Sequence, residues 1–150
     1  LVFGLSIMLS SGGSALVAKT MGEGDAALAR SRFTQIAAVG ATEEQLHEWG
    51  TPYVAFTQRY ADVAFGWALE DEGHFVKLLA DPRTWHLLGA HIIGPQAATL
   101  IQPMIQAMSF GQTVQELARG QYWIHPALTE VLENALLGLL KAPRPKELDA

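Results

Sequence analysis

The spacing of apolar residues divides the chain into stretches of different character. Residues 1–18 carry no charge and are rich in Leu, Ile and Val, interrupted by Ser10, Ser11, Gly12, Gly13 and Ser14. That run predicts an apolar N-terminal helix, at the border between a short membrane span and a core helix. From about Gln35 the pattern becomes that of a water-soluble domain. Thr42-Glu43-Glu44-Gln45 has the form of a capping box and Gly50 supplies a stop, which predicts a short helix over 43–49. Runs rich in β-branched and aromatic residues follow at 53–61, 64–70, 75–80 and 85–93, and these predict strands of an antiparallel sheet. Asp71-Glu72-Gly73 and Asp81-Pro82-Arg83-Thr84 favour tight turns, so the last three runs read as a meander.

The second half reads as helices. Pro95 suits a first helical position; Ala97, Ala98, Ile101, Met104, Ile105 and Met108 then recur at three- and four-residue spacing, opposite Gln96, Thr99, Gln102 and Gln106. Pro103 falls inside this predicted helix, where it costs about 3 kcal/mol or kinks the backbone. Thr113 with Glu116 predicts a second capped helix ending near Gly120, and Pro126 opens a third running to about Leu140. The expected class is α+β, an antiparallel sheet flanked by helices and preceded by the apolar N-terminal helix.

Composition narrows the function. At 150 residues, 49% hydrophobic and 17% charged, the chain has room for one domain with a real core and none for a second catalytic domain. Net charge is −5 and the ten basic residues are scattered, which argues against a nucleic-acid surface. There is no cysteine, so any redox chemistry draws its sulfur from elsewhere. Residues 1–18 lack the basic start of a secretory signal, and a cytoplasmic location is expected. Between Arg83 and Glu116 there is no Asp, Glu, Lys or Arg. An uncharged, hydrogen-bonding helix face of this kind suits a buried subunit contact or a central core helix.

The candidate chemistry lies in Gly120-Gln121-Tyr122-Trp123-Ile124-His125-Pro126-Ala127-Leu128-Thr129-Glu130. The proline biases His125 toward an extended backbone at a helix entrance. Glu130, about one turn into that helix, can reach back to a ring nitrogen and orient it, which makes the two a candidate acid–base pair. Other polar clusters read differently. His86 and His91, five apart, face opposite sides of one strand and cannot share a metal, so no metal site is expected. His47 and His74 read as solvated surface positions, and Glu70, Asp71 and Glu72 as a solvated loop. Trp123 and Tyr122 read as core or interface anchors, with lining of a substrate cleft as the alternative.

His125-Pro126 followed by Glu130, preceded by Leu88-Gly89-Ala90-His91-Ile92-Ile93-Gly94-Pro95 and Ile101-Gln102, resembles the dimerisation domain of pyridine nucleotide-disulfide oxidoreductases over residues 35–142. Within that family, Gly120 to Pro126 with Ala127-Leu128 is most similar to the mycothione reductase group. The resemblance implies a homodimer that uses FAD and NADPH and a disulfide substrate shared between subunits. His125 would be the acid–base group entering the partner subunit's active site, Glu130 its orienting carboxylate. His125 and Pro126 would lie beside the partner's flavin, with a cis peptide between them. Neither cofactor is expected to bind this chain alone, because the Gly-rich FAD fold, the NADPH fold and the redox cysteine pair are missing from it. Turnover in isolation is therefore not expected.

Three departures from the family stand out. Phe33-Thr34 runs directly into Gln35-Ile36-Ala37-Ala38-Val39-Gly40, which is similar to the family's entry strand; Thr99 stands where an acid is frequent; and Ala127 stands where glutathione reductases and lipoamide dehydrogenases usually have Thr. Residues 12–25 resemble an early helix and loop of multidrug and toxic compound extrusion transporters, so membrane contact is considered for residues 1–18 only. The expected organisation is a transporter-like segment and join over 1–34, the dimerisation domain over 35–142 and a flexible tail over 143–150. The alternatives are a fragment of a membrane efflux transporter and a catalytically inactive remnant that self-associates through the helix over 127–140.

Overall fold

The computed structural model describes residues 35–145. The expected apolar helix over residues 1–18 and the join that follows it lie outside the described residues. Four strands, β1 (Gln35–Gly40), β2 (Val54–Arg59), β3 (Phe75–Ala80) and β4 (Leu87–Gly94), form one antiparallel sheet in the order β1-β4-β3-β2. The helices are α1 (Glu43–Glu48), α2 (Ala64–Ala68), α3 (Ala97–Leu100), α4 (Gln102–Phe110), α5 (Val114–Arg119) and α6 (Glu130–Leu139). The class is α+β, as expected from the sequence.

Period-two alternation builds the main core. Val54 and Phe56 on β2, Val76, Leu78 and Ala80 on β3, and Ala90 and Ile92 on β4 share one face by their cross-strand pairing. Helix α6 lies across that face at β2 and β3 and adds Val131, Leu132, Ala135, Leu136 and Leu139, all fully buried. Burying each large aliphatic side chain contributes about 1.5–3 kcal/mol. The opposite face is covered in part by α1, where Leu46 packs with Ala41 and Leu79.

Both predicted capping boxes form. Thr42 and Gln45 exchange side-chain bonds of 3.0 and 3.2 Å with each other's backbone N–H at the start of α1. At the start of α5 the Glu116 carboxylate accepts the Thr113 N–H and hydroxyl, both at 2.8 Å, and Thr113 Oγ1 accepts the Glu116 N–H at 3.2 Å. These bonds from the Thr113 backbone and side chain hold the Glu116 carboxyl below its ordinary range. A depressed folded-state value means that the ionised carboxylate favours folding. This contribution is complete above the ordinary pKa and is lost as the pH falls from there through the lower folded value. Glu116→Gln should therefore flatten the loss of stability on acidification. Urea midpoints measured from pH 6 to pH 3 check this, and parallel curves for the two proteins would contradict it.

Several elements differ from the sequence expectation. Residues 64–70 are not a strand: α2 occupies Ala64–Ala68. Phe65, Trp67 and Leu69 do alternate with small residues, but the large members are 38%, 77% and 48% exposed and Gly66 is the buried one. A Cβ on Gly66 would sit 1.8 Å from the Tyr60 carbonyl oxygen, so this turn folds back on the end of β2 through backbone contact. The meander is therefore β2-β3-β4. The helix expected after Pro95 is divided at Ile101, and Pro103 lies in the first turn of α4, where its missing N–H removes no helical bond. Helix α6 begins at Glu130, after an irregular turn that starts at Pro126.

At the end of β4, Gly94 adopts φ 150°, and a Cβ there would approach Tyr60 Cζ to 2.9 Å and His74 Cβ to 2.8 Å. The Tyr60 hydroxyl donates to the Pro95 carbonyl at 3.2 Å, and burial pushes this phenol well above its ordinary pKa. Among the described residues no helix is long and apolar enough to cross a membrane.

Candidate functional site

The segment between α5 and α6 is irregular, yet it is anchored on both sides of His125. Trp123 is half-buried against the main core, and Leu128 is buried in it. Gln121 Nε2 donates to the Leu117 carbonyl of α5 at 3.2 Å. Between these anchors the His125–Pro126 peptide is cis. The result is an imidazole held outward, its side chain 69% exposed.

His125 Nδ1 lies 2.9 Å from Glu130 Oε2. Glu130 is buried, 9% exposed as a whole residue, and its side chain is only 11% exposed. Its other oxygen, Oε1, accepts the Ala127 N–H at 2.7 Å. A buried carboxylate needs such partners, because leaving one unpaired costs several kcal/mol. An ionised carboxylate only accepts, so the hydrogen in the His125–Glu130 contact resides on Nδ1 and Nε2 is the nitrogen turned to other partners. Chemically, an exposed imidazole backed by a fixed carboxylate can give and take a proton at Nε2.

The structure thus brings His125, Pro126 and Glu130 together at the helix entrance. The other histidines lie apart from them. His86 Nε2 meets the Gly111 carbonyl at 3.1 Å and His91 Nε2 the Ala41 carbonyl at 3.0 Å, two separate places. His47 is exposed on α1. His74 is not a solvated surface residue: its Nδ1 pairs with the Asp71 carboxylate, which also accepts the His74 N–H at 3.0 Å. The Asp71 side chain is only 4% exposed, so the acidic run at 70–72 is not wholly a solvated loop. Among the described residues no group of three or more His, Asp or Glu side chains is placed to hold a metal ion. Trp123 is a core anchor, whereas Tyr122 stands 89% exposed and Ile124 61% exposed. The sequence reading did not single out Ala127 as a donor to Glu130. Its signal was the three-residue spacing that also joins Thr42 to Gln45 and Thr113 to Glu116.

The family described as pyridine nucleotide-disulphide oxidoreductase, dimerisation domain, matches residues 32–136. The chain belongs to this family. It is 62% identical over 105 residues to mycothione reductase of Mycobacterium tuberculosis, covering 70% of this chain and 23% of that protein. It is 39% identical over 106 residues to dihydrolipoamide dehydrogenase of Chaetomium thermophilum, covering 70% of this chain and 21% of that protein. Among solved structures, LpdA from Mycobacterium tuberculosis superimposes with a TM-score of 0.65 at 26% identity, over 69% of this chain and 22% of that one. The chain therefore spans less than a quarter of the length of each of these proteins. In this dimerisation domain, the exposed Tyr122 and Ile124 flank the core-anchored Trp123 immediately before His125.

Proposed function

We propose that this domain joins two subunits of a flavin-dependent, NADPH-using disulfide reductase of the mycothione reductase kind, acting in the cytoplasm. In the homodimer, His125 and Glu130 serve as the acid–base pair of the partner subunit's active site. The observation that carries this reading is the pairing of an exposed imidazole with a buried, doubly bonded carboxylate. A structural histidine gains nothing from so much exposure, whereas a proton donor to a neighbouring subunit requires it.

The described residues form a single antiparallel sheet without a parallel βαβ unit, and the chain holds no cysteine. These features do not fit a dinucleotide site or a dithiol. FAD, NADPH and the redox cysteines therefore belong to other parts of the proposed enzyme, with Pro126 and the His125 ring facing the partner's flavin side. A thiolate of the partner attacks one sulfur of the substrate disulfide, and the S–S bond breaks as a new S–S bond forms. The departing sulfur takes the proton from His125 Nε2. Glu130 stabilises the protonated ring and then the return of the proton. The transporter-fragment reading draws on residues 1–34, which lie outside the described residues.

The test is subunit complementation in a chimera, with residues 35–142 replacing the matching stretch of the Mycobacterium tuberculosis mycothione reductase. One subunit carries His125→Ala, and the other lacks a redox cysteine. Co-expression should restore about a quarter of the parental activity, because random pairing puts half the dimers in mixed form and each mixed dimer has one intact site. Mixed dimers as inactive as either parent variant would overturn the partner-site role.

A further inference from the structure

Among the described residues one local device occurs three times, and the third use is incomplete. At the starts of α1 and α5 a threonine and the residue three positions later exchange bonds in both directions. Ala127 and Glu130 repeat the backward half, with the Ala127 N–H donating to the Glu130 carboxylate at 2.7 Å. The forward half is absent because Ala127 has no hydroxyl. Thr113 shows what that hydroxyl does when present: its Oγ1 lies 2.8 Å from Glu116 Oε2, the same oxygen that accepts the Thr113 N–H. A threonine at position 127 would bring a second donor to the carboxylate that already serves His125.

We propose that Ala127 is a positioning residue: its backbone N–H fixes one oxygen of Glu130, and its missing hydroxyl leaves the rest of that carboxylate's charge to His125 instead of drawing it to a second donor on the same oxygen. The division is visible in the contacts: Oε1 takes the main-chain N–H, and Oε2 takes the imidazole Nδ1 at 2.9 Å. Each oxygen has one assigned donor. The charge that a capping box spends on a helix start is here directed to the ring. Glu130 is largely covered, so additional solvent donors compete little for Oε2. A hydroxyl added within this shell would share the carboxylate charge and loosen its hold on the imidazole. This inference rests on the acid–base role proposed above for His125.

The experiment compares Ala127→Thr with Ala127→Val in the full-length chimera. Valine matches threonine in shape and lacks only the hydroxyl, so the pair isolates that group. Ala127→Thr should move the pH profile of kcat toward lower pH by about half a unit, with KM for the disulfide unchanged. Ala127→Val should leave the profile where it stands in the parent. Thermal unfolding at or above the parental midpoint for both shows that a shift does not come from a loosened fold. Coincident profiles for the two variants would overturn the proposal while leaving the role of His125 intact. A His125→Ala chimera as active as its parent would overturn the underlying reading, and this inference with it.

Discussion

His125→Ala in the full-length chimera is expected to lower kcat for disulfide reduction by about 10²- to 10⁴-fold, the usual contribution of a positioned general acid. The loss should fall on kcat and leave KM nearly unchanged, because Nε2 acts on the departing sulfur and not on the bound disulfide. The ring is mostly exposed, so removing it leaves no cavity in the core, but it leaves Glu130 Oε2 without its donor, and stability should fall by about 1–3 kcal/mol. These two readouts together separate chemistry from folding. Steady-state kinetics with a urea unfolding curve on the same preparation provide the check. Turnover within twofold of the parent would remove His125 from the mechanism.

The second large effect is on stability. Leu136 sits in the middle of α6, is fully buried, and packs in the core where the helix crosses β2 and β3. Leu136→Ala should cost about 2–5 kcal/mol, the sum of lost burial and the cavity left behind. Alanine is the better helix former, so the cost cannot be assigned to helix propensity. Because α6 begins with Glu130, loosening this packing should also blur the His125–Glu130 geometry and lower kcat at temperatures well below unfolding. A cost under about 1 kcal/mol in urea unfolding would mean that α6 is held by something other than its inner face.

Local signals were the readable ones. The boxes at Thr42 and Thr113 depend on residues three apart, and both appear where the sequence places them. β3 is bounded as predicted because strong turn chemistry at 71–73 and 81–84 isolates an apolar run. The run at 64–70 misled because alternation alone does not say which member faces inward. Tertiary contact at Gly66 decides that, and it buries the glycine. The pairing of β1 with β4 joins residues about 50 to 60 positions apart, and nothing in the local pattern of 35–40 announces it. At the site, the spacing of His125 and Glu130 was legible, as was the cis peptide implied by the family resemblance. The second anchor of the carboxylate was missed, because its three-residue spacing begins at an alanine, which has no hydroxyl to complete the capping-box pattern.

The contact at the end of β4 has a consequence for assembly of the whole domain. Gly94 leaves room for the Tyr60 ring, and its neighbours Ile93 and Pro95 would fill that space. A slip of β4 by one residue in either direction would drive one of them against the ring, so the tyrosine works as a pawl that permits a single alignment of the sheet. Everything downstream, from α3 to the imidazole at the mouth of α6, takes its starting point from that notch.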